Sequence, residues 1–182
     1  NRQVIDNLIK LGYKHHGFTT GYTDEIQLRW SYYLDINRSI EDIKKGMDQR
    51  CRRCIRKYEK YPLELVILGN DDDISDFKEV MQSTANRQNH FDRSLEYYKN
   101  LNNLLGDRSL LTIIYLDRNK YLKECTGDKL YDIVMNDKRK KIPISAGVFI
   151  FDKDKLNYVY GGTHKEYMPL MAQYKMQMEM IK

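Results

Sequence analysis

The residues with the plainest chemical potential sit near the C-terminus, in Leu156-Asn-Tyr-Val-Tyr-Gly-Gly-Thr-His-Lys-Glu-Tyr167. Its first half alternates as a strand does and puts Tyr158 and Tyr160 on one face. The pair Gly161-Gly162 is expected to break the strand and lead into a helix that lasts to the final residue. A strand that ends in Gly-Gly before a helix exposes backbone N–H groups, which suit an anion or a carbonyl oxygen. The hydroxyls of Tyr158 and Tyr160 would stand beside that opening as hydrogen-bond donors, or one of them packs in the core.

A second concentration is Thr84-Ala-Asn-Arg-Gln-Asn-His-Phe-Asp-Arg-Ser94, dense in hydrogen-bonding groups and nearly free of hydrophobes. It is either a surface loop or a binding rim. Arg87 carries a planar fork that matches phosphate or carboxylate. Thr84 and the helical pair Tyr97 and Tyr98 are further candidates, set against ordinary packing of helical tyrosines. A third group is basic: Arg50, Arg52, Arg53, Arg56, Lys57 and Lys60, with Lys138-Arg-Lys-Lys141 further on. Such clusters meet nucleic acid, a phosphorylated ligand or an acidic membrane, or they are simply a solvated helix face.

Other suggestive spacings carry less. His15 and His16 are adjacent and point to opposite sides of an extended chain, so they do not share an ion. Cys51-Arg-Arg-Cys54 lies on the apolar stripe of a helix, with no strand before it and no second pair, so burial as small hydrophobes is expected. Asp71-Asp-Asp-Ile-Ser-Asp76 lacks the spacing, glycine and closing Glu of a calcium loop. It reads as the acidic first turn of a helix. No metal site is expected. No Ser/His/Asp or Cys/His arrangement is visible, which argues against a covalent acyl-enzyme.

The elements that must position these groups follow from periodicity. A helix spans residues 2–11 and stops at Gly12. A strand is expected over Gln27–Ile36, from the alternation of Leu28, Trp30, Tyr32 and Leu34. Ser39-Ile-Glu-Asp42 opens a single helix through about Lys60, ended by Pro62. Strand Leu63–Leu68, helix Ile74–Asn86, helix Leu95–Leu105 and the apolar strand Ser109–Asp117 come next. Residues 118–141 are polar and weakly helical, and are expected to form an arm or mobile insertion outside the core. Strands at 143–152 and 155–160 form a hairpin, and Leu170, Met171, Tyr174, Met178 and Ile181 stripe the last helix.

The bulk properties agree with one globular domain. The 182 residues are 41% hydrophobic and 31% charged, with a net charge of +5. Three cysteines, an odd number, give no disulfide framework, so a reducing cytoplasm is the expected compartment. The start without Met and the uncapped end suggest a piece of a longer protein. The fold class expected is α/β (α+β), a mixed sheet flanked by helices. That order of elements is similar to the acyl-CoA N-acetyltransferase (GNAT) superfamily. The superfamily's pyrophosphate loop is lacking, so no coenzyme A carrier, and no cofactor, is expected.

Several segments together resemble the Fem peptidoglycan aminoacyltransferases (FemA, FemB and FemX). They are Leu11-Gly-Tyr-Lys-His-His-Gly-Phe-Thr-Thr20 with Arg29-Trp30, and Arg52-Arg-Cys-Ile-Arg-Lys57. Thr84-x-x-Arg87 with Phe91 and Tyr97-Tyr98, Ala146-Gly-Val-Phe149, and Tyr158-Val-Tyr-Gly-Gly-Thr163 also match, as do Tyr167 and Glu179-Met-Ile181. The resemblance implies a GNAT-like domain over 1–182 that is part of a larger two-domain enzyme and inactive alone. It implies transfer of an amino acid from aminoacyl-tRNA to the amine of a peptidoglycan precursor's stem peptide or growing bridge. Tyr158 and Tyr160 would then be catalytic. Arg87, Thr84, Tyr97, Tyr98, Gly161 and Gly162 would bind the precursor, and Arg52, Arg53, Arg56 and Lys57 would meet the tRNA. The expected location is the cytoplasm, with peripheral contact at the inner membrane face. The competing class is a non-catalytic GNAT-like module that binds nucleic acid or an anionic partner through its basic helix.

Overall fold

A computed structural model describes residues 2–14 and 32–182. Contacts divide the chain into two units, residues 1–37 and 38–182. In the first unit, helix α1 (Arg2–Lys10) closes at Gly12, whose φ of +90° suits a residue without a side chain. His15, His16, Arg29, Trp30 and the first half of the expected strand Gln27–Ile36 lie outside the described residues. Its last positions, 32–36, carry no strand pairing.

The second unit opens with α2 (Ile40–Gly46) and α3 (Gln49–Tyr58), where a single helix was expected. Ser39 caps α2 as its spacing predicts, its Oγ accepting from Asp42 N at 3.1 Å. Gly46 then weakens the helix, and Asp48 starts a new one by accepting from Cys51 N at 2.6 Å. Arg52 fastens the break. Its guanidinium donates to the carbonyls of Lys45 (3.1 Å) and Met47 (2.6 Å), groups that a helix end leaves unpaired.

The sheet follows as β1 (Leu63–Leu68), β2 (Ser109–Asp117), β3 (Lys141–Asp152) and β4 (Lys155–Thr163), in spatial order β1-β2-β3-β4. The expected α+β class with helices on the sheet holds. The pairing departs from a mixed sheet, because all three ladders are antiparallel. Helices α4 (Ser75–Gln88) and α5 (Leu95–Leu105) cover one face, where Phe77, Val80, Met81 and Tyr98 pack on Leu111, Ile113, Ala146 and Val148. The other face holds α6 (Arg118–Glu124), α7 (Tyr131–Asn136), a 3₁₀ segment Lys165–Leu170 and α8 (Ala172–Ile181).

The segment 118–141 is therefore no arm outside the core. Tyr121 and Val134 are fully buried and Leu130 is 6% exposed, all against β2 and β3. Asp128 ties the segment down. It accepts from the hydroxyls of Tyr121 (2.6 Å) and Tyr61 (3.0 Å) and from Leu130 N (3.0 Å). Among the described residues, no helix is long and apolar enough to cross a membrane.

Candidate functional site

Two features of β4 build the site. The first is a bulge. Val148 pairs with Tyr160 and Phe149 with Tyr158, which leaves Val159 as an extra residue. Simple alternation would put the two tyrosines on one face, and the bulge puts them on opposite faces. Tyr160 turns toward α5, its hydroxyl 3.2 Å from that of Tyr97. Tyr98 is 1% exposed and belongs to the core there. Tyr158 packs on Phe149 across the other face, ring centroids 5.1 Å apart.

The second feature is that β4 does not break at Gly161-Gly162. The strand runs on to Thr163, with Gly161 opposite Gly147 and Gly162 opposite Ala146. The glycines serve close approach instead. A Cβ on Gly161 would lie 1.5 Å from the Tyr158 hydroxyl, so the tyrosine occupies the space a side chain would fill. A Cβ on Gly162 would lie 2.7 Å from Thr84 Oγ1 and 3.1 Å from the Val80 carbonyl oxygen, so this glycine lets α4 close on the strand.

Thr84 exploits that approach. Its Oγ1 accepts from Thr163 N (2.8 Å) and donates to Thr163 O (3.2 Å), with the residue 5% exposed. Thr163 thus spends its backbone groups on α4 and not on Ser145 opposite it. The next residue, His164, donates its N–H back to Ile144 O at 3.0 Å. Antiparallel pairs alternate between bonded and outward-turned. Gly161, two residues before Thr163, therefore turns its N–H and C=O away from β3, at what is the edge of the sheet among the described residues.

A cleft of about 440 Å³ opens at this edge. The end of α4 lines it with Thr84, Arg87 and Gln88, and β4 lines it with Tyr158, Gly161 and Gly162. Met168, Met171, Gln173 and Tyr174 close the far side. Five of the residues expected from sequence meet here: Thr84, Arg87, Tyr158, Gly161 and Gly162. Tyr160, Tyr97 and Tyr98 do not line it. Arg87 is exposed and forms no ion pair among the described residues. Burial pushes the Tyr158 hydroxyl above its ordinary value, so the phenol stays protonated at neutral pH.

The sequence reading missed Gln173. Its amide reaches Ser145 Oγ (2.6 Å), Gly162 O (2.8 Å), Ala146 O (3.4 Å) and the Tyr158 hydroxyl (3.2 Å). The available signal was a lone polar residue between Leu170, Met171 and Tyr174 on the inward side of the last helix.

The basic helix divides by role. Arg52 is held by α2, so it is not a free cation. Arg53 and Arg56, with Arg50 and Gln49, line a separate shallow pocket of about 230 Å³ on α3. These three arginines form no ion pair among the described residues. Lys57 is half-buried and its charge acts on Asp128. Cys54 is buried and Cys51 half-buried, its thiol 3.6 Å from Met47 Sδ.

Set against known proteins, the FemAB family matches residues 1–131 and 128–182, the whole chain. The chain belongs to the FemAB family. It is 26% identical over 221 residues to aminoacyltransferase FemA of Staphylococcus epidermidis, covering 98% of this chain and 53% of that protein. It is 25% identical over 224 residues to FemA of Staphylococcus aureus strain MW2, covering 100% of this chain and 53% of that protein. The crystal structure of FemX superposes with a TM-score of 0.77 at 21% identity, over 98% of this chain and 56% of the FemX chain. The fold is therefore that of FemX. The chain spans about half the length of the curated FemAB relatives it matches.

Proposed function

We propose that this chain supplies the acceptor-facing wall of an aminoacyltransferase that extends a peptidoglycan precursor, drawing its amino acid from aminoacyl-tRNA. The observation that carries the proposal is the cleft at the β4 edge. It gathers Thr84, Arg87, Tyr158, Gly161 and Gly162 in a member of a family whose relatives are named aminoacyltransferases.

The reaction is aminolysis of an ester. The nitrogen of a neutral amine attacks the aminoacyl carbonyl, the C–N bond forms, and the C–O bond to the ribose breaks. The amine loses a proton and the ribose oxygen gains one. Negative charge builds on the carbonyl oxygen, and the outward N–H of Gly161 is a preorganised donor for it. Arg87 at the mouth suits a phosphate or carboxylate of the precursor. The stripe Arg50, Arg53 and Arg56 suits the tRNA backbone, and Arg52 drops out of that role. Transfer occurs in the cytoplasm, at the inner membrane face where a lipid-linked precursor is used.

The test is transfer of a radiolabelled amino acid from charged tRNA to a muropeptide precursor by the full-length protein. Transfer is expected, and Arg87→Ala should raise KM for the precursor. A folded full-length protein that transfers nothing from any charged tRNA would refute the proposal. The stripe Arg50, Arg53 and Arg56, without an ion pair among the described residues, also favours a second reading, a non-catalytic module that holds a polyanion. Salt-sensitive tRNA binding without transfer would select it.

A further inference from the structure

A tyrosine in a cleft meets a ligand with its proton or with its lone pairs. The surroundings of Gln173 decide which. Carbonyl oxygens only accept. Gln173 Nε2 lies 2.8 Å from Gly162 O and 3.4 Å from Ala146 O, so a flipped amide would press its oxygen against two acceptors. The nitrogen must lie on that side. Ser145 Oγ donates to Gly162 O at 2.9 Å, which leaves its lone pairs for Gln173 Nε2 (2.6 Å) and the Thr163 hydroxyl (3.0 Å). Every proton in the group is thereby directed. Gln173 Oε1 is left facing the Tyr158 hydroxyl at 3.2 Å, and an amide oxygen cannot donate. Tyr158 therefore gives its only proton to Gln173. It shows the cleft a lone pair, the reverse of the donor role that its sequence position suggests.

We propose that Tyr158 and Gln173 form an amino-group subsite, in which Tyr158 accepts a hydrogen bond from a substrate amine and Gln173 is the positioning residue that fixes this polarity. The proposal rests on the aminoacyl-transfer reading of the cleft and assigns its acceptor amine a place. Two neighbouring groups are consistent with it. Gly161 offers its N–H on the same edge, so a carbonyl and an amine have separate partners. Arg87, the cation lining the cleft, disfavours the protonated form of an amine held there and so favours the nucleophilic one.

The test uses the full-length protein and two probes, Nα-acetyl-lysine methylamide and its norleucine counterpart, which ends in methyl. Binding is measured at about pH 10, where a substantial share of the probe amine is neutral, and wild type should then prefer the amine by about fivefold to tenfold, the value of one hydrogen bond. Tyr158→Phe should abolish the preference. Gln173→Glu should keep at least the wild-type preference, because a carboxylate still takes the Tyr158 proton. Gln173→Met should lose it, because the hydroxyl is then free to turn. A merely structural Gln173 predicts the opposite order, since a carboxylate against two carbonyls disrupts more than a thioether. Thermal melts of each variant confirm folding. Equal binding of the probes by wild type overturns the proposal, as does a preference that survives Tyr158→Phe or a folded Gln173→Met protein. Absence of transfer with the amine preference intact rejects the transferase reading and leaves the subsite standing.

Discussion

Gly161→Ala should remove Tyr158 from the cleft without altering Tyr158 itself. The new Cβ would fall 1.5 Å from the tyrosine hydroxyl, 2.5 Å from Cζ and 3.0 Å from Cε2. No backbone adjustment of a few tenths of an ångström relieves such an overlap. Gly161 has no positive φ, so alanine is free to take its conformation. The obstacle is one side chain that is already 45% exposed, and it can swing to solvent. What is lost is the hydrogen bond to Gln173, about 0.5–1.5 kcal/mol, and the contact with Phe149, about 0.5–1.5 kcal/mol. Alanine recovers about 0.4–1 kcal/mol by stiffening the unfolded chain. The net cost centres on about 1 kcal/mol and lies between about 0 and 2.6 kcal/mol, a fall in Tm of a few degrees at most for a domain of this size. Function should suffer more than stability. In the transfer assay kcat/KM should fall by about as much as for Tyr158→Phe, and the double variant should be no worse than either alone. The contrast with Gly162→Ala sharpens the test. There the Cβ meets Thr84 Oγ1 at 2.7 Å and the Val80 carbonyl at 3.1 Å, both held on α4. The strand and helix must part, at about 1–3 kcal/mol. A Gly161→Ala protein with wild-type kcat/KM, in an assay where Tyr158→Phe loses activity, would refute the placing of Tyr158 over Gly161.

Three other outcomes follow from the packing. Arg52→Met should lower Tm by several degrees, because Lys45 O and Met47 O lose their donor, and it should leave the salt dependence of tRNA binding unchanged. Arg53→Gln with Arg56→Gln should do the reverse, with Tm within about a degree and the slope of log affinity against log salt reduced by about 2. Burial alone would raise Asp128, but donors from Tyr121, Leu130 N and Tyr61 outweigh it and hold its carboxyl below the usual range. A depressed folded value means that the carboxylate stabilises the fold above about pH 4 and that this support fades as pH falls through the folded value. Acid unfolding followed by circular dichroism should therefore flatten for Asp128→Asn below about pH 4, on a less stable protein overall.

Much of this arrangement is legible in the chain because local rules govern it. The Ser39 cap, the apolar strand Ser109–Asp117 and the β3–β4 hairpin sit close to where periodicity puts them. The pairing of Thr84 and Arg87 with the Tyr158–Thr163 stretch came from family resemblance, and the cleft brings those segments together. What periodicity missed depends on single residues acting against a pattern. One extra residue, Val159, reverses the face of every position before it, so Tyr158 and Tyr160 part company. Gly46 and Asp48 divide a stripe that otherwise reads as one helix. Tyr121, Leu130 and Val134 are spaced too irregularly to announce a buried face, and their burial rests on a polar anchor, Asp128, 67 positions from Tyr61. Gln173 has meaning only through partners on β3 and β4 that no local window contains.

The division of labour at the β4 edge suits the proposed chemistry. A tetrahedral intermediate of aminolysis carries an oxygen that gains negative charge beside a nitrogen that gains positive charge. A site made only of donors, such as two tyrosines and two exposed N–H groups, would favour the oxygen and disfavour the nitrogen. The bulge removes Tyr160 to the other face, and Gln173 takes the proton of Tyr158. Gly161 N–H is left as a donor and Tyr158 Oη as an acceptor, adjacent because a glycine lets the ring lie against the strand. Thr84 completes the arrangement by satisfying Thr163, so that Gly161 is the position that presents outward backbone groups among the described residues. On this account Thr84→Val should act indirectly. It strands the Thr163 N–H and C=O, destabilises the fold by about 1–3 kcal/mol, and loosens the α4–β4 contact that sets the width of the cleft. Thr84→Ser, which keeps the hydroxyl, should restore both Tm and transfer. A Thr84→Val protein that melts like wild type would show that the edge groups of Thr163 find another partner, and the assignment of Gly161 as the open edge would fall with it.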